Sequence, residues 1–156
     1  MIQRLQSFYL LLVTVFMSLM LFFPLASLSL RDGQSVVFFS YGVKKYITPE
    51  NAEMITRTLP VVILICLTGL ISFVNIFQFR RRVFQMRLCL VNVFLLTVLL
   101  LLVIIYYQIV KSTLPVEDHS MKLAGIFPVV GIVLTLLANR GIHEDEILVQ
   151  SVDRLR

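Results

Sequence analysis

Residues 88–109 read LCLVNVFLLTVLLLLVIIYYQI, and this run decides the fold class. It contains no Asp, Glu, Lys, Arg or His. A helix needs about 20 mostly apolar residues to cross the hydrocarbon core of a bilayer. The run therefore predicts a transmembrane helix.

The whole chain has the composition of a membrane protein. Of its 156 residues, 58% are apolar and 15% are charged, whereas an average soluble domain has about 45–50% apolar and about 25% charged residues. These fractions exclude a disordered chain, a disulfide scaffold and almost any soluble fold. The net charge of +5 fits Lys and Arg beside anionic lipid headgroups, so we expect membrane lipids as partners and no nucleic acid.

Three further runs predict membrane spans, at residues 8–28, 59–79 and 121–138. The first is longer than the 7–15 apolar residues of a signal-peptide core, so we expect it to be retained as a span. Together the four runs predict an all-α membrane protein, in which residues 1–138 form a bundle of four transmembrane helices.

A basic cluster between the second and third spans indicates the direction of the chain. It consists of Arg80, Arg81, Arg82 and Arg87. Short loops rich in Lys and Arg stay in the cytoplasm, next to lipid headgroups. The sequence therefore predicts that both termini are cytoplasmic and that the loops after the first and third spans lie outside.

The first outer loop predicts a small β-hairpin or sheet within residues 29–47. Asp32-Gly33 is a hairpin signal, residues 35–41 are rich in strand formers, and Gly42 permits a second reversal. Thr48-Pro49 resembles a helix N-cap followed by proline at the first helical position. We therefore expect the second helix to begin there, outside the membrane.

Two asparagines lie at similar depth in the predicted spans. Asn75 precedes the arginine cluster by five residues, and Asn92 follows it by five. Buried polar side chains in membranes bond across helices, which predicts an Asn75–Asn92 interhelix contact. The alternative is that each amide faces the headgroups or the loop backbone.

The cysteines and histidines do not form a chemical site in the predicted topology. Cys66 and Cys89 differ in depth by about 18 Å, which is too far for a disulfide, so we expect two buried free cysteines. His119 and His143 fall on opposite sides of the membrane. Proton relays and ion sites require ionisable groups at membrane depth, and the spans lack them. We therefore expect no catalytic residues, no metal and no cofactor.

The tail, residues 139–156, predicts a cytoplasmic amphipathic helix. Leu148, Val152 and Leu155 recur on one helical stripe, and Glu144, Asp145 and Glu146 form an acidic segment. Helices that lie on anionic lipid are usually basic. The acidic segment is therefore expected to face the arginine cluster or a basic partner protein, and these six residues are the candidates for partner binding.

Both ends of the chain resemble a known family. Met1-Ile2-Gln3-Arg4-Leu5-Gln6-Ser7-Phe8-Tyr9 at the start, Leu137-Ala138-Asn139-Arg140 and Ser151-Val152-Asp153-Arg154-Leu155-Arg156 near the end resemble the domain of unknown function 4293 family. That family comprises small four-helix membrane proteins of Bacteroidota. The resemblance implies a bacterial inner-membrane location and supplies no established activity.

Three functions are compatible with this sequence. The first is a non-enzymatic accessory or assembly subunit of a larger membrane complex, bound to one or more membrane proteins. The second is a small transporter or a lipid- or ligand-binding protein, with a cavity lined by Asn75, Asn92, Cys66 and Thr68. The third is an enzyme that uses His119 with Glu117 and Asp118 in an outer pocket.

Overall fold

The computed structural model describes residues 3–30, 34–48, 51–78, 81–114 and 116–153. Four long helices dominate it: α1 (Gln3–Phe22), α2 (Leu59–Phe77), α3 (Arg82–Thr113) and α4 (Phe127–Asp153). Each is long and apolar enough to cross a membrane. The prediction of four such helices is confirmed, and their length and composition support a membrane protein.

The helices form an up-and-down bundle. Each packs on its neighbours along the chain, and α4 closes the ring against α1. The beginning of α1, the α2–α3 turn and the end of α4 therefore share one end of the bundle. Where α4 packs on α1, the Gln6 side chain donates a hydrogen bond to Asp145 Oδ2 at 2.7 Å, although the two are 139 positions apart in the sequence.

A five-stranded antiparallel sheet lies at the opposite end of the bundle. Its strands are β1 (Ala26–Leu30), β2 (Ser35–Phe39), β3 (Gly42–Thr48), β4 (Asn51–Arg57) and β5 (Val116–Met121), in the order β4-β3-β2-β1-β5. The sheet is larger than the one predicted within residues 29–47. Strand β4 lies after that segment, and β5 comes from the loop between α3 and α4 and pairs with β1.

The sheet and the bundle share one hydrophobic core. Val36 and Phe38 on β2 are buried, and they belong to the same cluster as Ile65 on α2 and Leu99 and Val103 on α3. A small sheet gains stability when it packs on helices. The sheet is therefore a packed layer of the fold.

The prediction that the first span runs to residue 28 is wrong. Helix α1 ends at Phe22, Pro24 follows, and the Ser40 hydroxyl donates a hydrogen bond to the Leu21 carbonyl oxygen. Beyond it, β1 alternates buried and less buried residues. Hydropathy alone does not separate helix α1 from strand β1, because a half-buried strand is as apolar as the end of a membrane span.

The predicted start of α2 at Thr48-Pro49 is also wrong. Residues 51–57 form β4, and α2 begins at Leu59 with Pro60 in its first turn. The Thr58 hydroxyl donates a hydrogen bond to the Ser40 carbonyl oxygen at 2.7 Å. This bond ties the beginning of the helix to the β2–β3 turn.

The α2–α3 connection is shorter than predicted, because α3 begins at Arg82. Arginine is a good helix former, and the backbone N–H of Gln85 donates a hydrogen bond to the backbone carbonyl oxygen of Arg81 at 2.9 Å. The basic residues that suggested a loop therefore belong partly to the first turn of α3.

The predicted boundary at residue 138, between the bundle and a separate tail helix, is wrong. Helix α4 continues without interruption from Phe127 to Asp153. Gly141 lies inside this helix, and a Cβ atom there would be 3.2 Å from Gln6 Cγ. Small residues let membrane helices approach closely, so Gly141 serves the α1–α4 contact.

Candidate functional site

A layer of polar side chains joins α2 to α3 near the arginine end of the bundle. The Asn75 Nδ2 atom is a donor to Cys89 Sγ at 3.1 Å and to the Gln85 carbonyl oxygen at 3.4 Å. The Gln85 side-chain amide donates a hydrogen bond to the backbone carbonyl oxygen of Asn75 at 3.3 Å. Asn75, Gln85 and Cys89 are all buried.

Asn92 has a different partner, one helical turn deeper. Its Nδ2 atom donates to Ser72 Oγ at 2.8 Å. The predicted Asn75–Asn92 contact is therefore wrong in its pairing, although both amides do bond across α2 and α3. The two observed pairs are symmetric about residue 82, where α3 begins. The prediction took Arg82 to Arg87 as loop and so shifted the register.

Two amide oxygens in this layer remain without a hydrogen-bond partner among the described residues. They are Asn75 Oδ1 and Asn92 Oδ1, on side chains that are each 1% exposed. A buried carbonyl without a partner costs about 1–3 kcal/mol. The layer can therefore accept two further hydrogen bonds, and water is the simplest donor.

The four side chains that were expected to line a ligand cavity lie in different surroundings. Thr68 is buried, and its hydroxyl donates to carbonyl oxygens of its own helix, at Leu64 and Ile65. Cys66 is exposed on the outside of the bundle, so the expectation that both cysteines are buried is wrong for Cys66. Asn75 and Asn92 pack between helices instead of lining a space shared with Cys66.

The arginine cluster lies partly outside the described residues. Arg81 and Arg87 are exposed at the end of the bundle that also holds the start of α1. Arg82 is the first residue of α3, and Arg80 lies outside the described residues. Contact of this cluster with lipid headgroups stays a prediction.

The acidic segment of α4 has partners on α4 and α1. Glu144 pairs with Arg140 at 3.1 Å, and both side chains are largely exposed. Asp145 accepts the hydrogen bond from Gln6, and Glu146 lies on the same helix. These contacts bond Glu144 and Asp145 to groups outside the arginine cluster.

The candidate partner stripe is only partly described. Leu148 and Val152 belong to the backbone of α4, and Leu155 lies outside the described residues. Partner binding by this stripe stays a prediction.

Strand β4 has exposed apolar side chains. Met54 and Ile55 are 46% and 47% exposed, and Glu53, Thr56 and Arg57 are exposed as well. Thr56 pairs with Val43 and Met54 pairs with Lys44, which leaves Ile55 at a β-bulge. Sequence patterning missed this strand because its apolar residues are few and Met54 and Ile55 are adjacent, which breaks the alternation typical of a strand.

Lys44, on the strand β3 that pairs with β4, lies close to two aromatic rings. The Lys44 ammonium lies 5.1 Å from the ring centroid of Tyr41 and 5.5 Å from that of Phe39. Its hydrogen bond to Tyr41 raises the pKa of Lys44. Lys44 therefore remains a cation and is held over the two rings.

The two histidines lie at opposite ends of the bundle, and their placement on opposite sides of a membrane stays a prediction. His119 is on β5, where its backbone pairs with Leu28, and His143 is on α4 beyond Gly141. Glu117 and Asp118 share β5 with His119. Within the described ranges, no group of three His, Cys, Asp or Glu residues could hold a metal ion.

Comparison with known proteins identifies a family. No curated protein matches the chain significantly. A family model described as a domain of unknown function (DUF4293) matches residues 2–155, which is nearly the whole chain. The resemblance carried by the two ends of the sequence is thus confirmed, and the protein belongs to the DUF4293 family.

Proposed function

We propose that this protein is a non-enzymatic, multi-pass protein of the bacterial inner membrane that serves as an accessory or assembly subunit of a larger membrane complex. The β3–β4 hairpin would be its main contact surface outside the membrane. The continuous helix α4 would carry a second surface on the cytoplasmic side.

The observation that carries the proposal is the exposure of β4. Its outer edge has no partner strand in the described part of the chain, and its side chains from Glu53 to Arg57 are all exposed. Proteins usually protect such edges because they template pairing with another chain. An edge that keeps Met54 and Ile55 exposed is suited to strand addition by a partner.

The buried polar groups support a structural role for the bundle. In the described residues they are hydroxyls and amides, such as Thr68, Ser72, Asn75 and Asn92. Groups of this kind hold membrane helices together. Relay and ion-transport chemistry calls for ionisable side chains at that depth.

The charge distribution supports the proposed orientation. Arg81, Arg87 and Arg140 lie towards the end of the bundle that contains the short α2–α3 turn. The positive-inside rule weights such short turns most strongly. The arginine end and both termini would face the cytoplasm, and the sheet would face the periplasm.

The test is purification of the tagged full chain in a mild detergent, followed by quantification of co-purified proteins. We expect a stoichiometric partner that Ile55→Lys removes, because the new charge lies on the exposed edge. Ser35→Lys is the matched control, since Ser35 is exposed on the interior strand β2. Recovery of the bare monomer, or equal loss in both variants, would contradict the proposal.

The cytoplasmic surface requires a truncation that spares the bundle. Ile142 is buried and Asp145 bonds to Gln6, so removal of the chain from Gly141 onwards would damage the core. Truncation after Ile147 removes the stripe that contains Leu148 and Val152. We expect this shorter chain to fold and to lose any partner that binds the tail.

A further inference from the structure

A cavity of about 210 Å³ lies where α3 and α4 meet the sheet. Its walls include Ala26 and Phe38 of the sheet, Val103 and Tyr107 of α3, and Val129 of α4. It is separate from the polar layer between α2 and α3.

The cavity suits an apolar occupant. Its lining side chains are almost entirely aliphatic or aromatic. Apolar cavities of about 150 Å³ stay dry and take up molecules as large as benzene. Water is therefore a poor occupant here, and a hydrocarbon chain is a good one.

The cavity opens on the outer surface of the bundle. Ile104, Ile126 and Val129 line it and are also 42%, 51% and 43% exposed. These residues belong to the apolar flanks of α3, of the 3₁₀ turn Leu123–Ile126 and of α4. If these helices span a bilayer, this opening faces the acyl chains.

One wall contains a polar group, the Tyr107 hydroxyl. Tyr107 is 8% exposed, and its hydroxyl has no hydrogen-bond partner among the described residues. Buried tyrosine hydroxyls usually have one. Tyr107 is twenty residues after Arg87 on α3, about 30 Å along the helix, which matches the thickness of the hydrocarbon core. The Tyr107 level is thus that of the ester groups in the opposite leaflet.

We propose that this cavity binds the ester-proximal segment of one acyl chain of a bilayer phospholipid, while the rest of the chain leaves through the opening, and that the ester carbonyl of this lipid accepts a hydrogen bond from the Tyr107 hydroxyl. Met121 lines the cavity, and Lys122, which follows it, is exposed at the same end of the bundle. The inference is independent of the accessory role proposed above.

The first test fills the mouth of the cavity. Delipidated protein in detergent is titrated with palmitoyl-oleoyl phosphatidylglycerol, and bound lipid is counted by native mass spectrometry. We expect one tight adduct in the unchanged protein and a loss of affinity on the order of tenfold in Val129→Phe. Val133→Phe is the matched control: Val133 lies one turn along α4 with similar exposure and does not line the cavity. Equal affinities in the two variants would overturn the proposal.

The second test isolates the hydrogen bond. Tyr107→Phe removes only the hydroxyl, and we expect it to weaken ester-lipid binding about fivefold. The diether analogue of the same lipid lacks the carbonyl, so it should bind the unchanged protein as weakly as the ester lipid binds Tyr107→Phe. Tyr106→Phe is the control and should keep the preference for ester over ether. A preference that survives in Tyr107→Phe would overturn the assignment.

Discussion

The register of α2 against α3 gives the sharpest quantitative prediction. Asn92 and Ser72 are bonded at 2.8 Å, whereas the sequence pattern favours Asn92 with Asn75. A double-mutant cycle distinguishes the two, because it reports only the energy that depends on both side chains. The cycle requires Asn92→Ala, Ser72→Ala and the double variant.

The expected coupling follows from the environment of the pair. Both side chains are buried, and hydrogen bonds between membrane helices average about 0.6 kcal/mol with a maximum of about 1.7 kcal/mol. We therefore expect about 0.6 kcal/mol between Asn92 and Ser72. The single change Asn92→Ala should cost less than a fully satisfied amide would, because Asn92 Oδ1 lacks a partner among the described residues.

The assay is equilibrium unfolding in mixed micelles, with the free energy of unfolding as the readout. The same cycle for Asn92 and Asn75 should give a smaller coupling, because Asn75 bonds to Cys89 instead. A larger coupling for Asn92 with Asn75 than for Asn92 with Ser72 would refute the observed register.

Three further changes test other parts of the fold. Gly42→Ala places a Cβ atom 2.7 Å from the Thr56 carbonyl oxygen, so we expect β4 to separate from β3, with faster amide exchange in residues 51–57 and unchanged exchange in the helices. Ala138→Phe overfills a fully buried position and should cost about 1–3 kcal/mol of unfolding free energy in the same micelle assay. Arg140→Ala breaks an exposed ion pair with Glu144, and the melting temperature should barely change because such pairs contribute about 0.3–0.5 kcal/mol.

The four helices could be predicted from the sequence because hydropathy over about 20 residues is a strong signal. The ends of the helices could not be predicted, because the apolar residues there are compatible with the end of a helix and with a buried strand. Leu28 and Leu30 continue the apolar run of α1, yet they are buried on one face of β1. Only the alternation with Ser27 and Ser29 distinguishes the strand, and it is too short to decide by itself.

Long-range pairing explains most of the remaining errors. The segment that contains His119 resembles a solvated turn, and it becomes β5 because β1 lies beside it with a register that pairs Leu28 with His119. The segment from residue 139 resembles a separate amphipathic tail, yet it continues α4 to Asp153, and its Gly141 lies close to Gln6 of α1. In both cases the partner lies far away in the chain, where local patterns carry no information.

The polar layer was predicted in kind and missed in detail. Asn75 and Asn92 were identified as interhelix groups, and both are. The sequence pattern did not identify Ser72 and Cys89 as interhelix groups, although each lies three residues from one of the asparagines on the same helical face. A search for polar residues at that spacing would have found the pairs.

The central claim is that four helices cross a bilayer, with the sheet on one side and the arginine turn on the other. Labelling of single-cysteine variants with a membrane-impermeant maleimide tests it most directly, after Cys66 and Cys89 are replaced by alanine. We predict that Thr56→Cys on β4 is labelled in cells whose outer membrane alone is permeabilised, and that Arg87→Cys is labelled only after the inner membrane is lysed. Labelling of both positions before lysis, or of Arg87→Cys alone, would contradict the account.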